Sequence, residues 1–166
     1  MTHPGTLQIT TPGDREIVMT RAFDAPRAMV FDAFTKPELL KRWLLGPPGW
    51  SMPVCEVDLR VGGAYRYVWR NDGDGTTMGM GGVYREVVVP TRLVSTERFD
   101  EAWYPGEAVG TLVFTEQGTK TMVSQTMVYQ SREARDAIIK SGMAKGVTAS
   151  YDRLAGLLAS TAEATP

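Results

Sequence analysis

From Ser131 onward the apolar residues keep step with an α-helix: Ile139, Met143, Val147, Tyr151, Leu154 and Leu158 recur at intervals of four, four, four, three and four. Ser131 supplies a capping oxygen, and the pattern predicts one long helix running to about Ala159. Its stripe needs a partner surface, because Lys140, Lys145, Asp152 and Arg153 keep the helix out of a bilayer. What precedes it is almost all strand. An amphipathic helix that follows a curved meander of strands buries its stripe by lying across the concave face of their sheet, so the fold class is α+β with a cavity between helix and sheet.

The strands themselves follow a period of two. Ile17, Met19 and Phe23 mark the first, within Glu16 to Phe23. Two short helices come next. Asp24 is placed to cap the first, with Pro26 in its opening turn and Val30, Phe31 and Phe34 on one face. Thr35 and Glu38 have the spacing of a capping box for the second, whose apolar set is Leu39, Leu40, Trp43 and Leu44, and Gly46-Pro47-Pro48-Gly49 ends it. Strands are then expected over Trp50 to Leu59, Ala64 to Arg70, Thr77 to Val89, Arg92 to Trp103, Val109 to Glu116 and Thr121 to Gln130. The turns between them are Val61-Gly62-Gly63, Asn71 to Gly75, Pro90-Thr91, Tyr104 to Glu107 and Gln117-Gly118. The expected sheet has about six to seven antiparallel strands. Residues 1–14 and 160–166 read as flexible ends of a single domain over residues 15–159.

Composition removes whole classes of function. Eighteen Lys plus Arg against nineteen Asp plus Glu leave a net charge of -1, so no basic field invites nucleic acid or an anionic membrane. No apolar run approaches the roughly 18 residues of a membrane span, and Met1 to Arg15 lacks the layout of a secretory signal, so the expected location is the cytoplasm. With Cys55 the one cysteine and His3 the one histidine, a disulfide, a thiolate or multi-histidine metal site, a serine triad and a Cys/His dyad all lack their residues. No motif supports a metal or an organic cofactor. Any catalysis would run on carboxylates, Tyr, Arg, Lys or Ser, and no catalytic residue is assigned. Gly79-Met80-Gly81-Gly82 has the glycines of a phosphate loop but lies among strands with no helix after it.

Several segments together carry a family resemblance. Trp43 with Gly46-Pro47-Pro48-Gly49-Trp50, Asp58-Leu59-Arg60-Val61-Gly62-Gly63 with Tyr65, Gly82 to Glu86, Pro90 to Val94, and Ser131 to Asp136 with Ser141-Gly142-Met143 resemble the bacterial single-domain homologues of the activator of the ninety-kilodalton heat-shock protein ATPase. The resemblance spans about Arg15 to Leu158 and implies membership of the SRPBCC superfamily, also called START-like or Bet v-like, whose shared fold is the helix grip. It implies a pocket for an apolar or aromatic small molecule. The family name implies a second class of function, a protein-interaction module that modulates a chaperone ATPase, and the superfamily a third, an enzyme of the polyketide cyclase or aromatase kind.

Pocket candidates follow from the faces of the elements. Trp43 and Trp50 flank the Gly-Pro-Pro-Gly loop and either cover one end of the core or line the pocket mouth; Tyr65, Tyr67 and Trp69 share a strand face that is either concave or convex. Gln125, on a face with Val123, Met127 and Tyr129, either contacts ligand or is satisfied within the protein; Glu97, between Ser95 and Phe99, either brings a charge into the pocket or faces solvent. Met143 and Val147 present the helix side. Gly142 and Gly146 lie beside the stripe and either admit a strand backbone or leave room for a ligand, whereas Asp58, Arg60, Gly62 and Gly63 read as a structural turn. The chain is expected to be a monomer or a homodimer.

Overall fold

The computed structural model describes residues 6–101 and 106–164. In chain order the elements are β1 (Gln8–Thr10), β2 (Glu16–Phe23), α1 (Arg27–Thr35), α2 (Pro37–Trp43), β3 (Trp50–Val57) and β4 (Ala64–Asn71). After these come β5 (Thr77–Val88), β6 (Arg92–Phe99), β7 (Ala108–Gln117), β8 (Lys120–Val128), α3 (Arg132–Lys140) and α4 (Met143–Ala164). Among the described residues one eight-stranded sheet runs β1-β2-β8-β7-β6-β5-β4-β3, antiparallel at every pairing. Hairpins join β3 through β8 in order, and β2 closes the arrangement by pairing with β8 along its whole length. This is the α+β helix-grip architecture. The strand beyond the expected count is β1, which pairs Gln8, Ile9 and Thr10 with Thr20, Met19 and Val18, so this part of the N-terminal segment is ordered rather than flexible. At the other end, α4 carries helix past residue 159 to Ala164.

Aromatic packing holds the helices to the sheet. Phe34 of α1 meets Trp43, Phe114 and Tyr151 edge to face at 4.8, 5.4 and 6.0 Å, and Tyr151 of α4 also meets Phe23 at 5.5 Å. The main backbone contacts of α4 are with α2, α3 and α1; it reaches β2 through the side chains of Tyr151 and Asp152. That stand-off leaves space over the sheet. Arg21 of β2, itself buried, donates to Asp152 of α4 at 2.8 Å and fixes the helix laterally. No helix among the described residues is long and apolar enough to cross a membrane.

Several local expectations are corrected. Pro26 is the N-cap of α1, with no side-chain cap from Asp24. The Thr35–Glu38 capping box does not form: Pro37 opens α2, Lys36 becomes its N-cap, and the Thr35 hydroxyl donates back to the Phe31 carbonyl at 3.0 Å. Ser131 does cap its helix, accepting from the Ala134 N–H, but that helix is α3 alone, because Gly142 at φ +82° separates it from α4. The turn also rotates Ile139 outward to 42% exposure and turns Ile138 into the core. Strand β6 ends at Phe99, and the turn expected at Tyr104-Pro105, like Trp103, lies outside the described residues.

Candidate functional site

A cavity of about 510 Å³ lies between α4 and the covered face of the sheet. Register across the strands builds its floor. Leu93, Leu112, Gln125 and Met19 stand opposite one another from β6 through β7 and β8 to β2, and Ser95, Gly110 and Met127 form the adjacent row. A Cβ on Gly110 would come within 2.8 Å of the Met127 sulfur, so glycine there spares room in the floor. On the other side Tyr67, Met80 and Phe99 form a third row, with Tyr65 and Trp69 flanking Tyr67 at ring distances of 5.0 and 5.8 Å.

The mouth is built where the chain leaves α2. Trp43 donates its indole N–H to the Ala33 carbonyl at 2.8 Å, and Trp69 donates its own to the Leu44 carbonyl at 2.7 Å. From α4, the Ser150 hydroxyl accepts from the Gly46 N–H at 2.8 Å, and Arg153 donates to the carbonyls of Trp43 and Gly46 at 3.0 and 3.2 Å. The segment Leu44 to Pro47 is thereby clamped between β4 and α4 and forms one wall.

All twelve pocket candidates, Trp43, Trp50, Tyr65, Tyr67, Trp69, Glu97, Phe99, Gln125, Met127, Tyr129, Met143 and Val147, line this one cavity. Trp43 is fully buried and serves core and wall together, while Trp50 is half-buried. Gly142 and Gly146 line it as well and admit no strand backbone: a Cβ on Gly142 would meet nothing within 4 Å, and one on Gly146 would touch only the Gly46-Pro47 loop at 3.7 to 4.0 Å. The Asp58–Gly63 turn stays outside. Arg60 bridges Asp58 at 2.9 Å on the surface, Gly62 adopts φ +86°, and a Cβ on Gly63 would overlap the Asp58 carbonyl at 2.1 Å.

Polar groups in the cavity are few. Gln125 receives the Tyr151 hydroxyl at 3.4 Å and directs its amide N–H toward the Met127 sulfur at 3.5 Å, two long contacts that leave the amide weakly held. Glu97 is the one charged residue among the described residues of the lining. Its carboxyl makes no hydrogen bond and no ion pair with any described residue. Thr96 beside it is locked, accepting the Tyr65 hydroxyl on its carbonyl at 2.6 Å and the Val83 N–H on its own hydroxyl at 2.9 Å, which aims Glu97 inward. The surface Glu97 keeps is cavity wall, and burial pushes its carboxyl up to about 7. Burial likewise raises Tyr84 to about 12 and lifts Tyr67 and Tyr151 well above the usual phenol range, so these stay neutral phenols.

Sequence reasoning missed Tyr84, Tyr151, Ser150 and Arg153. Tyr151 stood in the helical stripe and Tyr84 sits at even spacing from Met78 and Met80 on β5, signals that identify the face but not the cavity.

Residues 24–159 match the family model described as "Activator of Hsp90 ATPase homolog 1-like protein". Among solved structures, a protein from Rhodobacter sphaeroides is similar at 32% identity and TM-score 0.86, covering 93% of this chain and 98% of that one. A protein from Chromobacterium violaceum is similar at 31% identity and TM-score 0.77, covering 87% and 96%. An HSP90 activator from Plasmodium falciparum shares the fold at 22% identity and TM-score 0.53, over 69% of this chain and 72% of that one. No curated protein matches.

Proposed function

Since the chain belongs to the Activator of Hsp90 ATPase homolog 1-like family, we propose that it binds an apolar or aromatic small molecule between α4 and the sheet and performs no chemistry on it. The open cavity carries this reading. Its volume of about 510 Å³ falls in the range of small-molecule sites, and its wall of tyrosine, tryptophan and methionine with few polar groups suits a ligand held by burial and oriented by Glu97 and Gln125. A carboxyl acting as general acid or base needs a second positioned group, and no described residue hydrogen-bonds to Glu97. Native mass spectrometry of the protein purified from its own host, followed by denaturing extraction, tests the reading. A stoichiometric apolar adduct is the expected result; a clean mass, together with melting temperatures unmoved by a panel of apolar and aromatic probes, would overturn it.

Family membership favours a second reading, modulation of a chaperone ATPase. It requires contact with the chaperone, so adding the domain to the purified ninety-kilodalton chaperone of the same cell should change ATP turnover. Unchanged turnover would leave the ligand-binding reading alone.

A further inference from the structure

A carboxyl that enters a largely apolar cavity with no described residue to pair it is costly to ionise, because burial weakens its hydration and no described cation offsets the loss. Glu97 is in this position. It enters from β6, opposite Ala108 of β7, which is fully buried and offers no polar side chain. The hydrogen-bonding side chains that line the cavity with it include Tyr65 and Tyr67 of β4, Tyr84 of β5, Gln125 of β8, Tyr129 just after β8 and Tyr151 of α4, none of them a cationic residue. Cys55 of β3, behind the tyrosines, is buried and held up to about 11, so it too is uncharged. No arginine or lysine lies among the described residues of the lining.

The same wall is rich in π surface. Tyr65, Tyr67, Trp69 and Tyr84 form a contiguous set with ring centroids 5.0 to 5.8 Å apart, and Trp43 and Tyr151 face them from the helical side of the cavity. Aromatic faces attract cations and leave anions unaided. From the lone carboxyl and this aromatic wall we infer that the cavity selects an apolar ligand carrying a cationic nitrogen, with Glu97 as its counter-ion. The inference rests on the ligand-binding reading above and names the class of ligand. A neutral apolar molecule would fill the same volume but leave the carboxylate unpaired.

The ionisation of Glu97 gives the proposal a signature. Because burial holds the group near 7 and raises Cys55, Tyr67, Tyr84 and Tyr151 well above that, it alone of these five changes charge between pH 6 and pH 8. The probes are 3-phenylpropyltrimethylammonium, whose charge does not titrate, and its neutral isostere with carbon in place of nitrogen. Binding of each is measured by calorimetry at pH 6 and pH 8 to the whole chain and to Glu97→Gln. The ammonium probe should bind roughly tenfold tighter at pH 8 than at pH 6, following the ionised fraction of a group titrating at about 7. The isostere should show no such rise, and Glu97→Gln should abolish the rise and weaken only the ammonium probe. Isostere binding at least as tight as that of the ammonium at pH 8, or a pH rise that persists in Glu97→Gln, would overturn the inference while leaving the apolar-ligand reading intact. Failure of both probes to bind would overturn both. The pH series on the unaltered protein is decisive even if the variant folds poorly.

Discussion

Glu97 keeps its proton to about pH 7 in the folded chain, against an ordinary 4.5. Between those values the folded state holds a proton that the unfolded chain has released, so stability falls as pH rises through this window and is flat above it. The shift corresponds to a penalty on the order of 3 kcal/mol once Glu97 is ionised. Glu97→Gln, which cannot ionise, should therefore match the parent in urea denaturation at pH 4 and exceed it by up to about 3 kcal/mol at pH 8. Equal stabilities at pH 8 would show that the carboxyl is solvated after all. The direction of this side chain was not legible in the sequence. On β6, Leu93, Ser95, Glu97 and Phe99 share one parity and Val94, Thr96 and Arg98 the other, and both sets mix polar with apolar, so alternation does not separate inside from outside. Thr96 decides it through bonds to Tyr65 and Val83, residues distant in sequence. At the Asp58–Arg60 turn, by contrast, the local pattern sufficed, because two glycines beside a bridging pair at i and i+2 already mark the turn, which the Tyr84 backbone then holds through Gly62 and Gly63.

At the scale of elements, two glycines four residues apart have opposite roles. Gly142 ends α3 with φ +82°, a conformation that disfavours any Cβ, whereas Gly146 sits inside α4 where a Cβ would make only ordinary contacts. Gly142→Ala should thus cost about 1 kcal/mol and Gly146→Ala should add about 0.5 to 1 kcal/mol, a difference of sign readable from paired urea titrations. The same sign for both would mean that the helix runs through the break. Apolar spacing did not reveal that break, since a stripe at steps of three and four records phase and is blind to a single residue that redirects the axis. Capping signals misled for a related reason. Thr35 and Glu38 have the right interval, but Pro37 is suited only to the first helical position and sets the start of α2 itself. Strand β1 is three residues long, too short for a period of two to be recognisable.

At the scale of the molecule, α4 is a lid set at a fixed height over the sheet by the Phe34, Trp43, Phe114 and Tyr151 cluster and by the Arg21–Asp152 bridge. Val147 projects from it into the cavity. Val147→Trp should narrow that space, weakening uptake of apolar probes measured by fluorescence displacement while preserving the far-ultraviolet circular dichroism of the parent. Undiminished uptake would place binding elsewhere on the protein. From the sequence alone came the order of elements from β2 to β8, the α+β class, a terminal helix as cover for an antiparallel sheet, and the faces that bear Tyr65, Tyr67, Trp69, Gln125 and Met127. Periodicity encodes these, because each depends on neighbours within a few residues. Whether the cavity is open, how β2 closes onto β8, and that Glu97 meets no cation among the described residues were decided only by the tertiary structure. Each is a distance between elements far apart in the chain, and such distances depend on how large side chains from α1, α2 and α4 jam together, which no local spacing records.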